Sequence, residues 1–243
     1  MKHELSFAVA FLIVSGVQAE DTGVNFTLAP SVVSECVSSH GYLLHDGVAL
    51  QTDAKIIFPG GLTAGVWWST GLNGRGLSSD KADELDPYIG FAKKGIKWQI
   101  DTRLAYFNFV ELSQVRGDLL VSSVEIGREF KEGKQTFVPF VRIENRQRLP
   151  SFDFNRWMPV MGLRHEWAIG KRVSFSQRVG LLYDSGTPMA DDGLLVQYRA
   201  GIKWQLSKRA GLEPFVRFSW PLTIHDARRT QTIGGVTIIF NAR

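Results

Sequence analysis

Between Phe137 and Arg148 the chain reads FVPFVRIENRQR. One parity carries Arg142, Glu144, Arg146 and Arg148; the other carries Phe137, Pro139, Val141 and Ile143. A β-strand turns successive side chains to opposite faces, so this stretch sets a ladder of guanidinium groups against an apolar edge. A guanidinium is always charged, and its planar fork grips carboxylates and phosphates through two parallel hydrogen bonds. The chemistry on offer is the attraction and guidance of anions. The same arrangement recurs in later alternating runs, which supply Arg156, Arg164, Arg178, Arg199, Lys203 and Arg217, and in an earlier one, which supplies Arg103.

Other reactive residue types are less well placed. His165 stands beside Glu166, and Ser174 and Ser176 lie in the next run. A serine hydrolase needs a Ser–His pair oriented by an acidic or amide group. Neighbours in a strand point apart, so Glu166 is poorly placed to orient His165. His40, His45 and His225 fall in expected loops, where a solvated imidazole is the plain expectation. His40, His45 and Asp46 do not have the spacing of a zinc site. Gly71 to Gly76 lacks the Gly-Lys-Ser/Thr ending of a phosphate loop. No metal or cofactor is expected. Cys36 is the single cysteine, which rules out an internal disulfide; it reads as a small strand residue.

These side chains need elements to position them. Met1-Lys2-His3, the apolar run Phe7–Val14 and the small residues Val17-Gln18-Ala19 have the form of a secretory signal peptide. Residues 1–19 are therefore set apart and 20–243 read as one domain. The apolar run is too short to cross a bilayer as a helix. In the rest of the chain, alternating runs of strand length recur. They cover roughly 25–38, 48–58, 62–70, 84–93, 96–109, 118–130, 135–147, 156–168, 172–184, 194–206, 211–221 and 230–240. The breaks after even-numbered runs are tight, such as Pro59-Gly60-Gly61 and Lys131-Glu132-Gly133-Lys134. Those after odd-numbered runs are longer and polar, such as Gly71 to Asp83 and Ser185 to Gly193. Short turns at one rim and long loops at the other are the layout of an outer-membrane barrel. The expected fold is an all-β, transmembrane, antiparallel up-and-down barrel of about twelve strands.

The apolar parity also carries the aromatics in two groups. Phe58, Trp98, Phe130, Phe137, Trp167, Phe175, Trp204 and Phe240 fall at the short-turn ends. Trp68, Tyr106, Trp157, Tyr183 and Trp220 fall at the long-loop ends. Two such bands match the two interfaces of a bilayer. A soluble secreted barrel, with the apolar parity turned inward, gives no reason for that sorting. Pro87, Pro139, Pro159 and Pro214 lie inside the runs, where each removes a ladder donor. The first run alternates poorly, with Val32 and Val33 adjacent and Glu35 isolated.

The stretch Ser38–Phe91 resembles the TorF-type family of outer-membrane porins. The likeness is carried by Ser39-His40-Gly41-Tyr42, Gln51, Gly65-Val66-Trp67-Trp68-Ser69 and Glu84-Leu85-Asp86-Pro87-Tyr88-Ile89-Gly90. His40 departs from the family pattern, which has arginine there, and Asn241-Ala242-Arg243 follow the terminal Phe240 that a barrel assembly signal would end on. The length and strand rhythm are also similar to the small acidic-oligosaccharide channels of the KdgM type. Both resemblances imply a porin fold and a diffusion role.

With the apolar parity against lipid, Arg103, Arg142, Glu144, Arg146, Arg148, Arg156, Arg164, Arg178, Arg199, Lys203 and Arg217 line a lumen. Asp53, Asp86, Asp101, Glu125 and Glu129 make the facing wall more acidic. A basic excess across a narrow aqueous path concentrates anions. The expected role is passive diffusion of small polar or anionic solutes through a bacterial outer membrane, with lipid and lipopolysaccharide outside and no catalysis. Nucleic acid is not an expected partner, because the charges alternate along strands and export removes the target. The sequence leaves the oligomeric state open. Two alternatives stand: a closed structural barrel filled by ion pairs, and an outer-membrane lipid hydrolase.

Overall fold

The structure, a computed structural model, describes residues 23–38, 43–72, 83–109, 118–149, 155–185, 192–224 and 230–242. The proposed leader lies outside them, as do His40 and His225. The described residues form β-strands and connecting turns: β1 (Asn25–Val33), β2 (Cys36–Val37), β3 (Leu43–His45), β4 (Ala49–Ile57), β5 (Leu62–Gly71), β6 (Glu84–Lys94), β7 (Trp98–Phe109), β8 (Leu119–Arg128), β9 (Phe130–Glu132), β10 (Gln135–Arg148), β11 (Asn155–Ala168), β12 (Val173–Asp184), β13 (Gly193–Gln205), β14 (Ala210–Pro221) and β15 (Gln231–Ala242). Twelve long strands make the wall, each antiparallel to its neighbours, and β15 closes the sheet on β1. Closure leaves no unpaired edge, which is the condition for strands to survive in lipid. β9 continues β8 along β10, and β2 and β3 pair only with each other.

Two of the tight breaks are turns built on glycine. Gly60 and Gly61 have φ of 87° and 98°, and Gly133 has φ of 56°, a region that L side chains avoid. At Gly61 a Cβ would sit 2.0 Å from the Ala92 carbonyl oxygen, so the position is closed to any other residue.

The internal prolines explain where ladders stop. Each keeps pairing on one side and interrupts the other. Pro139 pairs with Leu163 of β11, while toward β8 the ladder begins only at Phe140, which is why β8 and β9 are separate. Pro159 pairs with Ile143, and the β11–β12 ladder begins at Val160. Pro214 pairs with Val236 while the β13 ladder skips from Gly201–Phe215 to Trp204–Leu212. A residue without an N–H is tolerated where the sheet can forgo one bond.

The first run is corrected. β1 ends at Val33 rather than continuing to residue 38. Ser34 and Glu35 turn the chain, and β2 leaves the wall. Val33 and Ile233 meet Cys36 and Val37 in one buried apolar cluster, which rewards the departure.

The apolar parity faces outward. Val141 and Ile143 are 56% and 48% exposed, whereas Glu144 and Arg146, on the other parity just beyond them, are 3% and 4% exposed. Trp98, Trp167 and Trp204 are exposed near the short turns, and Trp157, Tyr183 and Trp220 near the long loops. A soluble protein does not present so continuous an apolar belt; a lipid-facing wall does.

Candidate permeation path

The inner face is organised around a row of arginines that adjacency in sequence conceals. Arg164 of β11 is the register partner of Arg178 of β12. Arg178 partners Arg199 of β13, and Arg199 partners Arg217 of β14. Four guanidinium groups thus stand side by side across four strands. Like charges directly opposite one another destabilise a sheet, so the row persists only because other groups offset the repulsion.

Two carboxylates do most of this. Glu125 of β8 takes Arg164 Nη1 at 2.9 Å and Arg178 Nη2 at 2.7 Å, one on each oxygen. Glu213 of β14 takes Arg199 Nη1 at 2.6 Å and is also approached by Ser176 Oγ at 3.3 Å. Aromatic rings support the same cations. Arg178 lies 4.3 Å from the Phe140 ring centre, Arg164 5.5 Å from it, and Arg199 4.3 Å from that of Phe215. Four cations against two anions leave the row basic. The arginines are about one-third exposed, so each ion pair contributes on the order of 1 kcal/mol after solvent screening. Arg217, the last of the row, donates from Nη2 to the Val37 carbonyl at 2.7 Å.

The remaining expected residues divide by position. Glu144 lies between Arg142 and Arg146 and bonds both; Arg146 also lies 5.7 Å from the centre of the Phe107 ring. Arg156 is the register partner of Arg146 and is exposed near the long loops, and Arg148 ends β10 opposite Leu119. Arg103 covers the Tyr88 ring at 3.8 Å, and Tyr88 OH donates to Asp53 at 2.7 Å. Lys203 pairs with Ser174 nearer the short turns. Arg142 does not join the row of Arg217: its partners are Val160 and Glu125. Glu129 belongs to the turn end, where Lys94 and Lys131 hold it.

Toward the long loops the inner face changes character. Met158, Leu182 and Leu195 turn inward and bury Ile224, which follows β14. Along the strands from β14 to β5 the β2–β3 hairpin folds against the inner wall. Val33, Cys36, Val37, Ala49 and Ile233 are buried together there, with Leu43, Leu44 and Phe215 against them. Cys36 Sγ lies 3.5 Å from Ser69 Oγ and accepts from Gln51 Nε2 at 3.3 Å. Burial pushes the Cys36 thiol above its ordinary value, against the opposite effect of these hydrogen bonds. His45, read from sequence as a solvated loop residue, is instead 1% exposed and packs over Gly71.

The hydrolase constellation does not assemble. Ser174 donates to Glu166 at 2.9 Å on the inner face. His165 lies on the outer face, stacked on Phe137 and hydrogen-bonded to Gln135 and Gln177. Among the described residues no cluster of His, Cys, Asp or Glu could hold a metal ion.

Parity found the inward charges but missed Tyr88, Phe140 and Phe215, which stand on the same face as the charges. A sequence signal existed: each occupies the parity of an arginine or acid in its own strand.

No protein-family model matches the chain, and no curated protein sequence matches it either. Solved structures do. An outer-membrane channel from Pseudomonas putida F1 superposes with a TM-score of 0.56 at 10% identity, covering 94% of this chain and 98% of that one. The NanC porin gives 0.54 at 11% identity, covering 89% and 98%. The CymD monoaromatic hydrocarbon channel gives 0.51 at 9% identity, covering 91% and 88%. At these identities the likeness concerns the fold. The chain has the fold of the bacterial outer-membrane β-barrels, and its outer surface is the one that location demands.

Proposed function

We propose that this protein is a passive outer-membrane channel that favours small anionic or polar solutes. The leader at 1–19 exports it, and the mature barrel sits in lipid with lipopolysaccharide around its outer rim. The observation that carries this reading is the row Arg164–Arg178–Arg199–Arg217, four cations with two carboxylates, Glu125 and Glu213, in ion-pair contact among the described residues. A sheet that tolerates this repulsion gains nothing in stability from it; a solute path gains a basic strip that raises local anion concentration. The motifs in Ser38–Phe91 support a place beside the TorF-type porins, and the strand rhythm supports a likeness to the KdgM-type channels. Zero-current potential in a planar bilayer under a salt gradient tests the reading. Anion preference is the expected result, and cation preference overturns it.

A second reading is a closed structural barrel. It is favoured by the apolar packing toward the long loops and by the bonding of Glu144 with Arg142 and Arg146. It predicts no steps of current from purified, folded protein.

A further inference from the structure

We propose that the β2–β3 hairpin is a built-in constriction that sets the size limit of the solute path, an inference that rests on the channel reading above. The hairpin is part of no wall strand, since β2 and β3 pair only with each other. The hydrogen bonds of Cys36 and Val37 nevertheless run to inward-facing groups. Arg217 of β14 donates to the Val37 carbonyl, Gln51 of β4 donates to Cys36, and Ser69 of β5 touches Cys36. Its apolar side chains share a buried cluster with Val33 of β1, Ala49 of β4 and Ile233 of β15. The hairpin therefore lies along the lumen side of five neighbouring strands, β14, β15, β1, β4 and β5.

Two further details indicate that the wall is shaped to receive it. Gly71 leaves room for the His45 ring: a Cβ there would lie 2.4 Å from His45 Cε1 and 2.5 Å from Nε2. The backbone bond from Arg217 uses a side chain of the basic row itself, so the hairpin sits where the row ends. On the adjoining strands β11, β12 and β13, Met158, Leu182 and Leu195 also project inward and bury Ile224. On the channel reading a solute passes through the gap left between the hairpin, this second apolar mass and the charged groups Asp86, Glu144 and Arg146 of β6 and β10, so the bulk of the hairpin narrows the path.

The native single cysteine makes the idea testable. Three variants are needed in the full chain, each first shown to fold by heat-modifiable gel mobility. Gly71→Ala pushes His45 off the wall, and Val37→Asn puts an amide into the apolar cluster; both should release the hairpin. Ser69→Cys places a second thiol beside Cys36, and oxidation with copper phenanthroline should tie the hairpin down. Maleimide labelling of Cys36, which is 2% exposed, reports where the hairpin is. The expected result is faster labelling and a several-fold rise in single-channel conductance and in the largest permeating polyethylene glycol for both release variants. The oxidised Ser69→Cys protein should conduct no more than wild type. If the release variants label quickly while conductance and size limit match wild type, the constriction is overturned and the channel reading stands. If they label slowly, the hairpin is not held by these contacts and the proposal is overturned as well. If wild type and released proteins alike carry no current, both readings fail together.

Discussion

The inner wall differs between its two halves. From the short turns to mid-barrel it is lined with charge, and its aromatic rings lie under guanidinium groups, as Phe140 and Phe215 do under Arg178 and Arg199. Toward the long loops the same face carries Met158, Leu182, Leu195 and Ile233, and the hairpin adds Cys36, Val37 and Leu44, while β6 and β10 keep the buried charges Glu84, Asp86, Glu144 and Arg146 there. One face of one sheet thus carries a basic row at mid-barrel and, toward the long loops, two packed apolar masses beside a buried charged cluster. On the proposed channel reading, the difference separates two properties that a single charge count would merge: the row would set which charge is favoured, the apolar masses what size is admitted.

The largest expected effect tests the frame in which both halves are defined. Val141→Arg puts a charge on the lipid face of β10, one residue from the inward Arg142. It should cost about 2–4 kcal/mol of folding stability in a bilayer, read by urea titration of the folded band in lipid vesicles. Val160→Arg, on the inner face of the next strand, should cost much less. Equal costs would erase the distinction between inside and outside.

A smaller effect is expected from Glu125→Gln, which strips Arg164 and Arg178 of their shared carboxylate. With the arginines partly solvated, the loss should be about 1–2 kcal/mol. Anion selectivity should rise, because one offsetting negative charge is gone. A fall in selectivity would mean that Glu125 shapes the path rather than neutralises it.

The smallest stability change should come from Lys203→Gln near the short turns, within about 0.5 kcal/mol. Its readout is conductance at low salt, which should drop modestly and recover at high salt as screening sets in. A drop that persists at high salt would assign Lys203 a steric role in place of an electrostatic one.

Much of the wall was legible in sequence because its signals are local. Period-two alternation and glycine turns placed most strands to within a few residues, and the aromatic ends told the rims apart. The row was not legible. Arg164, Arg178, Arg199 and Arg217 could each be assigned to the inner parity, but their alignment depends on register between strands, which is a non-local property. The same limit applied to Arg142: it and Arg217 each follow a Pro-Phe-Val, at Pro139-Phe140-Val141 and Pro214-Phe215-Val216, yet register gives Arg142 the partners Val160 and Glu125 and gives Arg217 the partners Arg199 and Ile233. The hairpin was missed for a different reason. Cys36 and Val37 read as more wall strand, because burial against the inside of a barrel leaves the same apolar signature as burial in lipid, and Leu43 and Leu44 fell in the break between the first two runs. His45 was misread with them, since a histidine beside an aspartate and a glycine looks like an exposed loop.

The most direct test of the central claim compares the zero-current potential of wild type with that of Arg178→Gln/Arg199→Gln under the same salt gradient. The account predicts anion preference in the wild type and a potential that collapses toward zero in the variant. Cation preference in the wild type, or an anion preference untouched by removing the middle of the row, would contradict it.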